Sequence, residues 1–468
     1  MTDTQALSAQ IIDKLIAIVG ESKLCLDIDT RQRYGKDWTA VYEPAPSAVV
    51  FVQSVEQVQA LVRLANEHQL SLVPSGGRTG LSAGAVAANG EIVVSFDAMN
   101  QITDYSAVDR SVVCEAGVIT EQLQSYALEQ GLYYPVDFAS SGSSQVGGNI
   151  STNAGGIKVI RYGMTRDWVA GLTVVTGAGD ILELNRGLLK NNAGYDLRQL
   201  FIGAEGTLGF IVKATIRLTR QPKDLTALVL GAPDMSAIIQ VLNTFQSEMD
   251  LTAFEFFSEK ALQKVVAHSD VQRPFANPTP FYALLEFEKV NEDLEELAMS
   301  LFERCVEEGW VVDGVMSQSI EQLKNLWRLR EDISETISQW TPYKNDISTV
   351  ISKLPAFLSE VEAVVNANYP NFEIIWFGHI GDGNVHLNIL KPDDLDKALF
   401  FEQCHKVSHW VCELVNQYGG SVSAEHGVGL IKKDYLKYSR SAQEISLMKQ
   451  IKCVFDPRGV MNPGKIFD

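Results

Sequence analysis

Three runs rich in glycine and other small residues lie in the first half of the chain and limit what it can fold into. They are Pro74–Gly84 (PSGGRTGLSAG), Ser140–Gly156 (SSGSSQVGGNISTNAGG) and Gly203–Ile211 (GAEGTLGFI). Glycine lets the backbone come close to a charged group, and successive backbone amides can line an anion. One such run is usually only a structural turn, but three in one region favour a phosphate-binding domain.

The segments around these runs alternate between helix and strand. Ser54, with Gln57 three residues later, predicts a helix N-terminus, and the apolar spacing that follows predicts a helix ending near His68. Further segments are a helix at Thr120–Gln130 and strands at Leu70–Val73, Glu91–Phe96, Leu172–Thr176 and Gly209–Leu218. This alternation predicts that the first half is an α/β or α+β unit.

A change of pattern near residue 222 predicts a domain boundary. Polar residues and Pro222 are followed by long amphipathic segments, which predict helices at Val290–Glu308 and Ser319–Trp340. Two more helices are expected at Ala398–Tyr418 and Ala442–Val454, before a turn-rich tail, DPRGVMNPGKIFD.

Composition and charge exclude several classes of protein. The chain has 468 residues, 46% hydrophobic and 21% charged, as in an ordinary folded protein of two to four domains. Its net charge of -19 makes nucleic acid an unfavourable partner. No window is long and apolar enough to span a membrane, and the first residues do not resemble a secretion signal. Six cysteines without a CxxC pair fit a reducing compartment, so a cytoplasmic location is expected, with Cys404 and Cys453 as core thiols.

Two nucleotide-binding motifs are missing. No G-x-G-x-x-G follows a predicted strand, which disfavours a Rossmann nicotinamide site. Gly459–Lys465 resembles a P-loop, but Ile466 stands where Ser or Thr should bind magnesium. The sequence therefore does not predict nucleotide triphosphate hydrolysis.

Three of the seven histidines fall in two dense motifs, GHIGDGNVHLN and SVSAEHGVG. His379, His386 and Glu425 supply two imidazoles and one carboxylate, which suits zinc or a similar divalent ion with an open position. The adjacent His426 could act as a general base. Hydrogen-bonded histidines in tight turns explain the same pattern equally well at this stage.

A competing metal site is possible on the helix expected at Ala398–Tyr418. His405 and His409 are four residues apart and Cys412 is nearly one turn further, so all three share a face. No fourth ligand is apparent. A surface or packing role is therefore favoured for these side chains.

A local cluster of positive charge stands out in this acidic chain, in the segment LWRLREDISETISQWTPYKND. It contains Arg328, Arg330 and Lys344. Arg330 and Ser334 are four residues apart, so on one helix face they could bind a carboxylate. Salt bridges from the arginines to acidic residues nearby are the more common arrangement; the acidic residues are Glu331, Asp332 and Glu335.

Taken together, these motifs resemble the flavoenzymes of the vanillyl-alcohol oxidase type that oxidise 2-hydroxy acids. The resemblance rests on PSGGRTG, SQVGGNISTNAGG, GAEGTLGFI, GHIGDGNVHLN, SAEHGVG and DPRGVMNPGKIF, and it spans nearly the whole chain. It implies an α+β fold with a two-part FAD-binding domain and an inserted α+β substrate (cap) domain. The implied bounds are 1–222 for the FAD domain, 223–425 for the substrate domain with its metal site, and 426–468 for a segment returning to the FAD domain.

The resemblance also implies roles for individual residues. His379, His386 and Glu425 would bind zinc, and His426 would be the catalytic base and contact the substrate. Substrate would also contact Arg330, Ser334, Lys344 and Asn388, with Ser334 at a position where animal members carry threonine. FAD would contact Pro74, Gly76, Gly77, Arg78, Thr79, Gly80, Ser140, Gly147, Gly148, Asn149, Asn153, Gly155, Gly156, Glu205, Gly206, Ile211 and Asn462.

The implied reaction is FAD-dependent oxidation of a D-2-hydroxy acid. D-2-hydroxyglutarate, oxidised to 2-oxoglutarate, is the first expectation, and D-lactate, D-malate or glycolate are alternatives. No histidine lies between Gln69 and Ala267, so FAD should be noncovalent. An electron-transfer flavoprotein or a quinone-linked carrier would accept the electrons, and a homodimer is expected. A non-catalytic zinc-binding protein is the alternative of a different class.

Overall fold

The computed structural model describes residues 7–39 and 41–468, and helices and strands are numbered here along the chain. The helices are α1 Ala9–Val19, α2 Ile28–Tyr34, α3 Val55–His68, α4 Thr120–Glu129, α5 Val146–Thr152, α6 Val159–Tyr162, α7 Thr165–Trp168, α8 Arg198–Phe201, α9 Met235–Gln246, α10 Glu259–His268, α11 Glu292–Glu307, α12 Ile320–Glu331, α13 Ile333–Thr336, α14 Leu354–Asn368, α15 Lys397–Gln417 and α16 Ala442–Phe455. The chain divides into two compact units. The first comprises residues 1–155, 164–221 and 425–468, and the second comprises residues 156–163 and 222–424.

The first unit contains two main sheets. Its strands are β1 Leu24–Cys25, β2 Ala48–Phe51, β3 Leu72–Ser75, β4 Ile92–Ser95, β5 Ile102–Ser106, β6 Ser111–Glu115, β7 Leu132–Tyr133, β8 Val169–Thr176, β9 Ile181–Leu184, β10 Gly209–Arg217 and β11 Thr219–Arg220. One sheet has the order β1-β2-β4-β3, with β4 parallel to both β2 and β3. The other is antiparallel, in the order β5-β6-β10-β8-β9.

Helix α3 begins and ends where the sequence predicts. The Ser54 hydroxyl accepts a hydrogen bond from the Gln57 amide at 3.3 Å, and the helix ends at His68. The predicted strand at Leu70–Val73 lies two residues too early, because the Leu70 amide still donates to Ala65 at the helix end. Pairing with β4 then begins at Leu72.

The C-terminal tail packs against strand β3 of the first unit. Leu72 donates its amide to the Val460 carbonyl at 2.8 Å, and Asn462 donates its amide to the Leu72 carbonyl at 2.8 Å. The buried Asp456 carboxylate accepts the amides of Val460 and Met461, each at 3.0 Å. These bonds fix the turn that follows α16, so the tail forms part of the sheet region rather than extending into solvent.

The second unit is built on one antiparallel sheet. Its strands are β12 Leu225–Ala232, β13 Leu251–Ser258, β14 Phe281–Glu288, β15 Asp313–Met316, β16 Tyr343–Ser348, β17 Glu373–Gly378 and β18 Asn384–Leu390. They follow the order β15-β12-β14-β13-β17-β18-β16. All eight residues of the central strand β13 are buried, as expected where helices cover both faces of a sheet.

The helix predicted at Ser319–Trp340 is broken in the structure. Helix α12 ends at Glu331, α13 begins at Ile333, and Ile337–Trp340 is a 3-10 turn. The Asp332 carboxylate at the junction accepts a hydrogen bond from Arg328 Nε at 3.2 Å. Arg330 and Ser334 therefore lie on two consecutive helices and not on one continuous helix face.

Both units combine helices with sheets, so the predicted α+β class is confirmed. The prediction that Cys453 is a core thiol is wrong. Cys404 is buried, but Cys453 lies on the exposed side of α16. Within the described residues, no helix combines the length and apolar character needed to cross a membrane.

Candidate functional site

The first two glycine-rich runs meet directly in the first unit. A Cβ atom on Gly77 would lie 2.2 Å from the Ser143 carbonyl oxygen, so only glycine allows this approach. Arg78 follows in the left-handed region, with φ of 60°. Its guanidinium donates to the Gly76 carbonyl at 2.7 Å and lies 4.3 Å from the centre of the Tyr34 ring. Arg78 thus holds the loop in a fixed turn.

The second run continues into the short helix α5. The buried Asn149 amide group donates to the Thr120 hydroxyl at 2.6 Å, and Asn153 ends the helix in the left-handed conformation. The Gln145 side chain, just before the helix, donates to Asp97 at 2.8 Å, while its Oε1 is buried without a hydrogen-bond partner. A buried oxygen of this kind is often satisfied by a ligand or by water.

The third run meets the C-terminal tail at Glu205. Asn462 donates its side-chain amide to the carbonyls of Glu205 at 2.7 Å and Gly84 at 2.9 Å. The Glu205 carboxylate accepts the amides of Val428 and Gly429 at 2.7 and 2.8 Å. Burial raises the pKa of Glu205, although these two amides oppose the shift. All three runs and the tail are therefore in contact.

This arrangement fits a flavin nucleotide in the first unit. The loops bring backbone amides and buried oxygens together, and Asn462 Oδ1, like Gln145 Oε1, has no partner among the described residues. Ile211 differs from the other expected FAD contacts, because its side chain lies in the hydrophobic core of the five-stranded sheet.

Two histidines of the second unit are brought together by the hairpin of β17 and β18. His379 directly follows β17, and His386 lies on β18 opposite Phe377. Gly378 permits the tight return, because a Cβ there would lie 2.6 Å from the Asn384 carbonyl oxygen. The two imidazole rings are 5.3 Å apart between centroids, in a T-shaped arrangement.

A carboxylate lies near each of these histidines, and sequence reasoning missed both. Glu255 on β13 contacts His379 Nδ1 at 2.8 Å, and Asp346 on β16 lies opposite His386, with 3.9 Å between carboxylate and ring nitrogen. Both carboxylates are buried. A carboxylate behind a histidine is common in metal sites, because it fixes the ring and its tautomer. The one sequence signal was an acidic residue inside an apolar strand, LTAFEFFS.

Glu425 is the first residue after the second unit. Ser421, four residues before Glu425, exchanges two backbone hydrogen bonds with Ser348 on β16, at 2.8 and 3.0 Å. The segment that leads to Glu425 therefore begins beside this strand. His379, His386 and Glu425 form one candidate set of metal ligands. The set combines two imidazoles with a carboxylate, which fits zinc.

There is a second candidate set of metal ligands. It consists of Asp346, Glu425 and His426. His426 Nε2 lies 3.6 Å from Glu425 Oε1. Among the described residues, His405 and His409 belong to neither group, and His405 instead contacts the Tyr343 hydroxyl at 3.4 Å.

Lys344 lies on the same face of the sheet as His386. Lys344 and Asp346 on β16 face Asn388 and His386 on β18, and alternate residues of a strand share a face. The Lys344 ammonium donates to the Ser334 hydroxyl at 3.0 Å, and no carboxylate among the described residues pairs with it. Lys344 is exposed as a residue, yet partial loss of hydration at the ammonium lowers its pKa.

Arg330 and Asn388 are both buried but differ in their partners. Arg330 forms an ion pair with Glu255 at 2.8 Å, and its guanidinium lies 4.7 Å from the centre of the Phe377 ring. Arg330 therefore does not pair with the acidic residues nearby in sequence, which are Glu331, Asp332 and Glu335. The Asn388 amide donates to the His386 carbonyl at 3.2 Å. Arg330, Ser334, Lys344 and Asn388 all belong to the second unit.

Matches to two protein-family models show the class of protein. Residues 221–466 match the family model "FAD linked oxidases, C-terminal domain", and residues 46–185 match "FAD binding domain". The chain belongs to this family of FAD-linked oxidoreductases.

Within this family, several curated relatives share one name. The chain is 66% identical to "D-2-hydroxyglutarate dehydrogenase" of Stutzerimonas stutzeri, with 98% of each chain covered. It is 51% identical to the protein of that name from Xanthomonas citri pv. viticola, covering 100% of this chain and 98% of the relative. The mitochondrial protein of Danio rerio is 35% identical, covering 94% and 82%. The chain belongs with the D-2-hydroxyglutarate dehydrogenases in sequence.

Solved structures share the fold at low sequence identity. The p-cresol methylhydroxylase structure has a TM-score of 0.75 at 16% identity, covering 99% of this chain and 98% of that one. An alkyldihydroxyacetonephosphate synthase structure also reaches 0.75, at 17% identity, covering 99% and 86%. The predicted two-domain fold of the vanillyl-alcohol oxidase type is confirmed.

Proposed function

We propose that the protein oxidises D-2-hydroxyglutarate to 2-oxoglutarate with noncovalent FAD. The observation that carries this proposal is the polar face of the second unit's sheet. That face places the imidazoles of His379 and His386 beside two cations, Arg330 and Lys344. A 2-hydroxy acid with two carboxylates offers one oxygen-rich end for a metal and one carboxylate for a cation. The names of the curated relatives support the same substrate.

The first unit would hold FAD through its three glycine-rich runs and Asn462. Buried oxygens without a partner on Gln145 and Asn462 support this assignment. When bound, FAD supplies the two-electron acceptor that no side chain can provide. The residues Gln69 to Ala267 include no histidine for a covalent link.

The residues His379, His386 and Glu425 would hold a zinc ion. When bound, zinc acts as a Lewis acid and lowers the pKa of a hydroxyl that it contacts. Glu255 and Asp346 would keep the two imidazoles oriented. His426, next to Glu425, would take the proton of the substrate hydroxyl, since an imidazole accepts protons near neutral pH.

Lys344 would be the main cation for the second carboxylate of the substrate. Its ammonium is oriented by the Ser334 hydroxyl and, in the described part of the chain, has no competing carboxylate. Arg330 is already paired with Glu255, so it offers only its remaining donors. Asn388 lies opposite Lys344 and is buried.

A panel of 2-hydroxy acids with a dye acceptor tests the proposal. D-2-hydroxyglutarate should have a higher kcat/KM than D-lactate or glycolate, with D-malate between them. Lys344→Met should reduce this preference mainly by raising KM for the two-carboxylate acids, because the lost contact binds ground state and transition state alike. Lys353→Met is the matched control, since Lys353 is an exposed lysine of the same unit that donates to the Tyr418 carbonyl. Equal kcat/KM values across the panel in the wild type would refute the proposed substrate.

The electron acceptor and the oligomeric state complete the proposal. We propose an electron-transfer flavoprotein or a quinone-linked carrier as acceptor, and a homodimer. Both rest on the resemblance alone, and acceptor assays with reconstituted carriers and sedimentation of the purified protein would test them.

A further inference from the structure

Glu255 contacts a metal-ligand candidate and a substrate-binding candidate at the same time. One carboxylate oxygen lies 2.8 Å from His379 Nδ1, and the other lies 2.8 Å from Arg330 Nη2. Glu255 is only 1% exposed and lies on β13, whose eight residues are all buried. A buried carboxylate without partners is strongly disfavoured, so these two contacts account for its presence in an apolar strand.

The contact with His379 determines which ring nitrogen can serve the metal. A carboxylate facing Nδ1 favours the tautomer with the proton on Nδ1, and Nε2 then becomes the ligand atom. Glu255 therefore strengthens metal binding through His379.

The contact with Arg330 has the opposite consequence for an anionic substrate. Glu255 neutralises the charge of the guanidinium. A substrate carboxylate must therefore share Arg330 with Glu255. Arg330 is not saturated by this pair, because its buried Nε has no acceptor among the described residues. The Phe377 ring packs against the guanidinium and limits its movement.

We propose that Glu255 is a positioning residue that joins the two ligand sites and sets their affinities in opposite directions. It strengthens zinc binding through His379 and weakens substrate binding by neutralising Arg330. This inference rests on the proposed function, because it takes His379 as a zinc ligand and Arg330 as a contact of the substrate. A purely structural role would not give the two affinities opposite signs.

The variant Glu255→Gln tests the inference, because it removes the charge and nearly preserves the shape. Competition with a chromophoric chelator should show zinc binding about tenfold weaker, the lower end of the effect of losing a partner behind a metal-binding histidine. At saturating zinc, the KM for D-2-hydroxyglutarate should fall, because Arg330 no longer has an internal anion. Unchanged zinc affinity, or a KM that rises, would overturn the proposal.

Glu286→Gln is the matched control. Glu286 lies on the neighbouring strand β14, opposite Ala253, and so shares the sheet face of Glu255. It is buried too, but its partners are Lys158 at 2.5 Å, the Thr252 hydroxyl at 2.5 Å and Trp327 at 2.9 Å. Losing this carboxylate should leave zinc affinity and KM unchanged. Matching effects in the two variants would reveal a general effect of burying an amide and would refute a special role for Glu255.

Two further measurements separate the possible failures. Wild-type protein that binds no zinc would refute the proposed metal site before any variant is made. If Glu255→Gln does not fold, the double variant Glu255→Gln/Arg330→Met removes the unpaired cation as well. Zinc binding about tenfold weaker than in Arg330→Met alone would support the role of Glu255, and equal zinc binding would overturn it.

Discussion

The side chain of Asn462 donates a hydrogen bond to the backbone carbonyl of Glu205 at 2.7 Å, and this bond fastens the C-terminal tail to the third glycine-rich run. The same amide also donates to Gly84 in the first run. Asn462 is fully buried and has a φ of 41°, a left-handed conformation that asparagine tolerates better than alanine.

Asn462→Ala should therefore destabilise the first unit. It leaves the buried Glu205 carbonyl and the partly buried Gly84 carbonyl without a donor, and a buried carbonyl left unsatisfied costs about 1–3 kcal/mol of unfolding free energy. Urea unfolding followed by circular dichroism measures this loss. The control is Asn100→Ala, since Asn100 is exposed and donates only to the Asp97 carbonyl. If both variants unfold at the same urea concentration, the Asn462 contacts do not stabilise the protein.

The buried Lys465 predicts a pH dependence of stability. Desolvation lowers the pKa of this lysine to about 8, with Glu91 and Asp37 nearby opposing the shift. Between about pH 8 and the ordinary lysine pKa of about 10.4, the unfolded chain binds more protons than the folded one, so stability rises with pH. The cost of burying the charge is complete below pH 8 and disappears above this window.

Lys465→Met should remove this dependence. The wild type should gain on the order of 3 kcal/mol relative to the variant as the pH rises through the window, from 1.36 kcal/mol per pKa unit. Urea unfolding at several pH values measures the difference, with Lys437→Met as an exposed control in the same unit. A difference that stays constant with pH would show that Lys465 does not titrate in this range.

Some features could be predicted because their signals are local. The cap at Ser54, the spacing of α3 and the three glycine-rich runs all depend on residues close in sequence. The break between α12 and α13 was missed because the helical pattern continues through Asp332.

Contacts between distant residues left no signal that could be predicted. Glu255 contacts His379 across 124 residues, and Asn462 contacts Gly84 across 378 residues. Strand pairing determines such neighbours, and a single sequence does not reveal which strands pair. For this reason Glu255 and Asp346 appeared only in the structure.

The flavin should be released when the protein is denatured. The first glycine-rich run carries Arg78 where a covalent link would need a histidine nearby, and Arg78 is engaged with Gly76 and Tyr34. After acid precipitation, the yellow colour should appear in the supernatant. Colour that stays with the pellet would contradict noncovalent binding.

The metal content should depend on His386 and not on His405. The wild type should contain about one zinc ion per chain, and His386→Ala should lose it because one of the two imidazoles is removed. His405→Ala is the control, since His405 contacts Tyr343 and belongs to neither ligand group found among the described residues. Elemental analysis of dialysed protein measures both. Zinc that persists in His386→Ala would place the ion elsewhere.

His426 adjoins Glu425 and belongs to the second candidate ligand group with Asp346. If His426 is the base, His426→Ala should slow flavin reduction by about 10²–10⁴-fold, the usual contribution of general-base catalysis, while zinc and FAD remain bound. Stopped-flow absorbance isolates this half-reaction, so a slow electron acceptor cannot hide the effect. Reduction at the wild-type rate would exclude His426 as the base.

The variant Asp346→Asn distinguishes the two candidate sets of zinc ligands, on which the prediction for His426 depends. With zinc on His379, His386 and Glu425, Asp346 only supports His386, so the variant should retain zinc at about 10–100-fold weaker affinity. With zinc on Asp346, Glu425 and His426, both Asp346→Asn and His426→Ala should strip the metal, because each then removes a direct ligand. Loss of zinc from both variants, together with its retention in His379→Ala, would make His426 a ligand and require a different base.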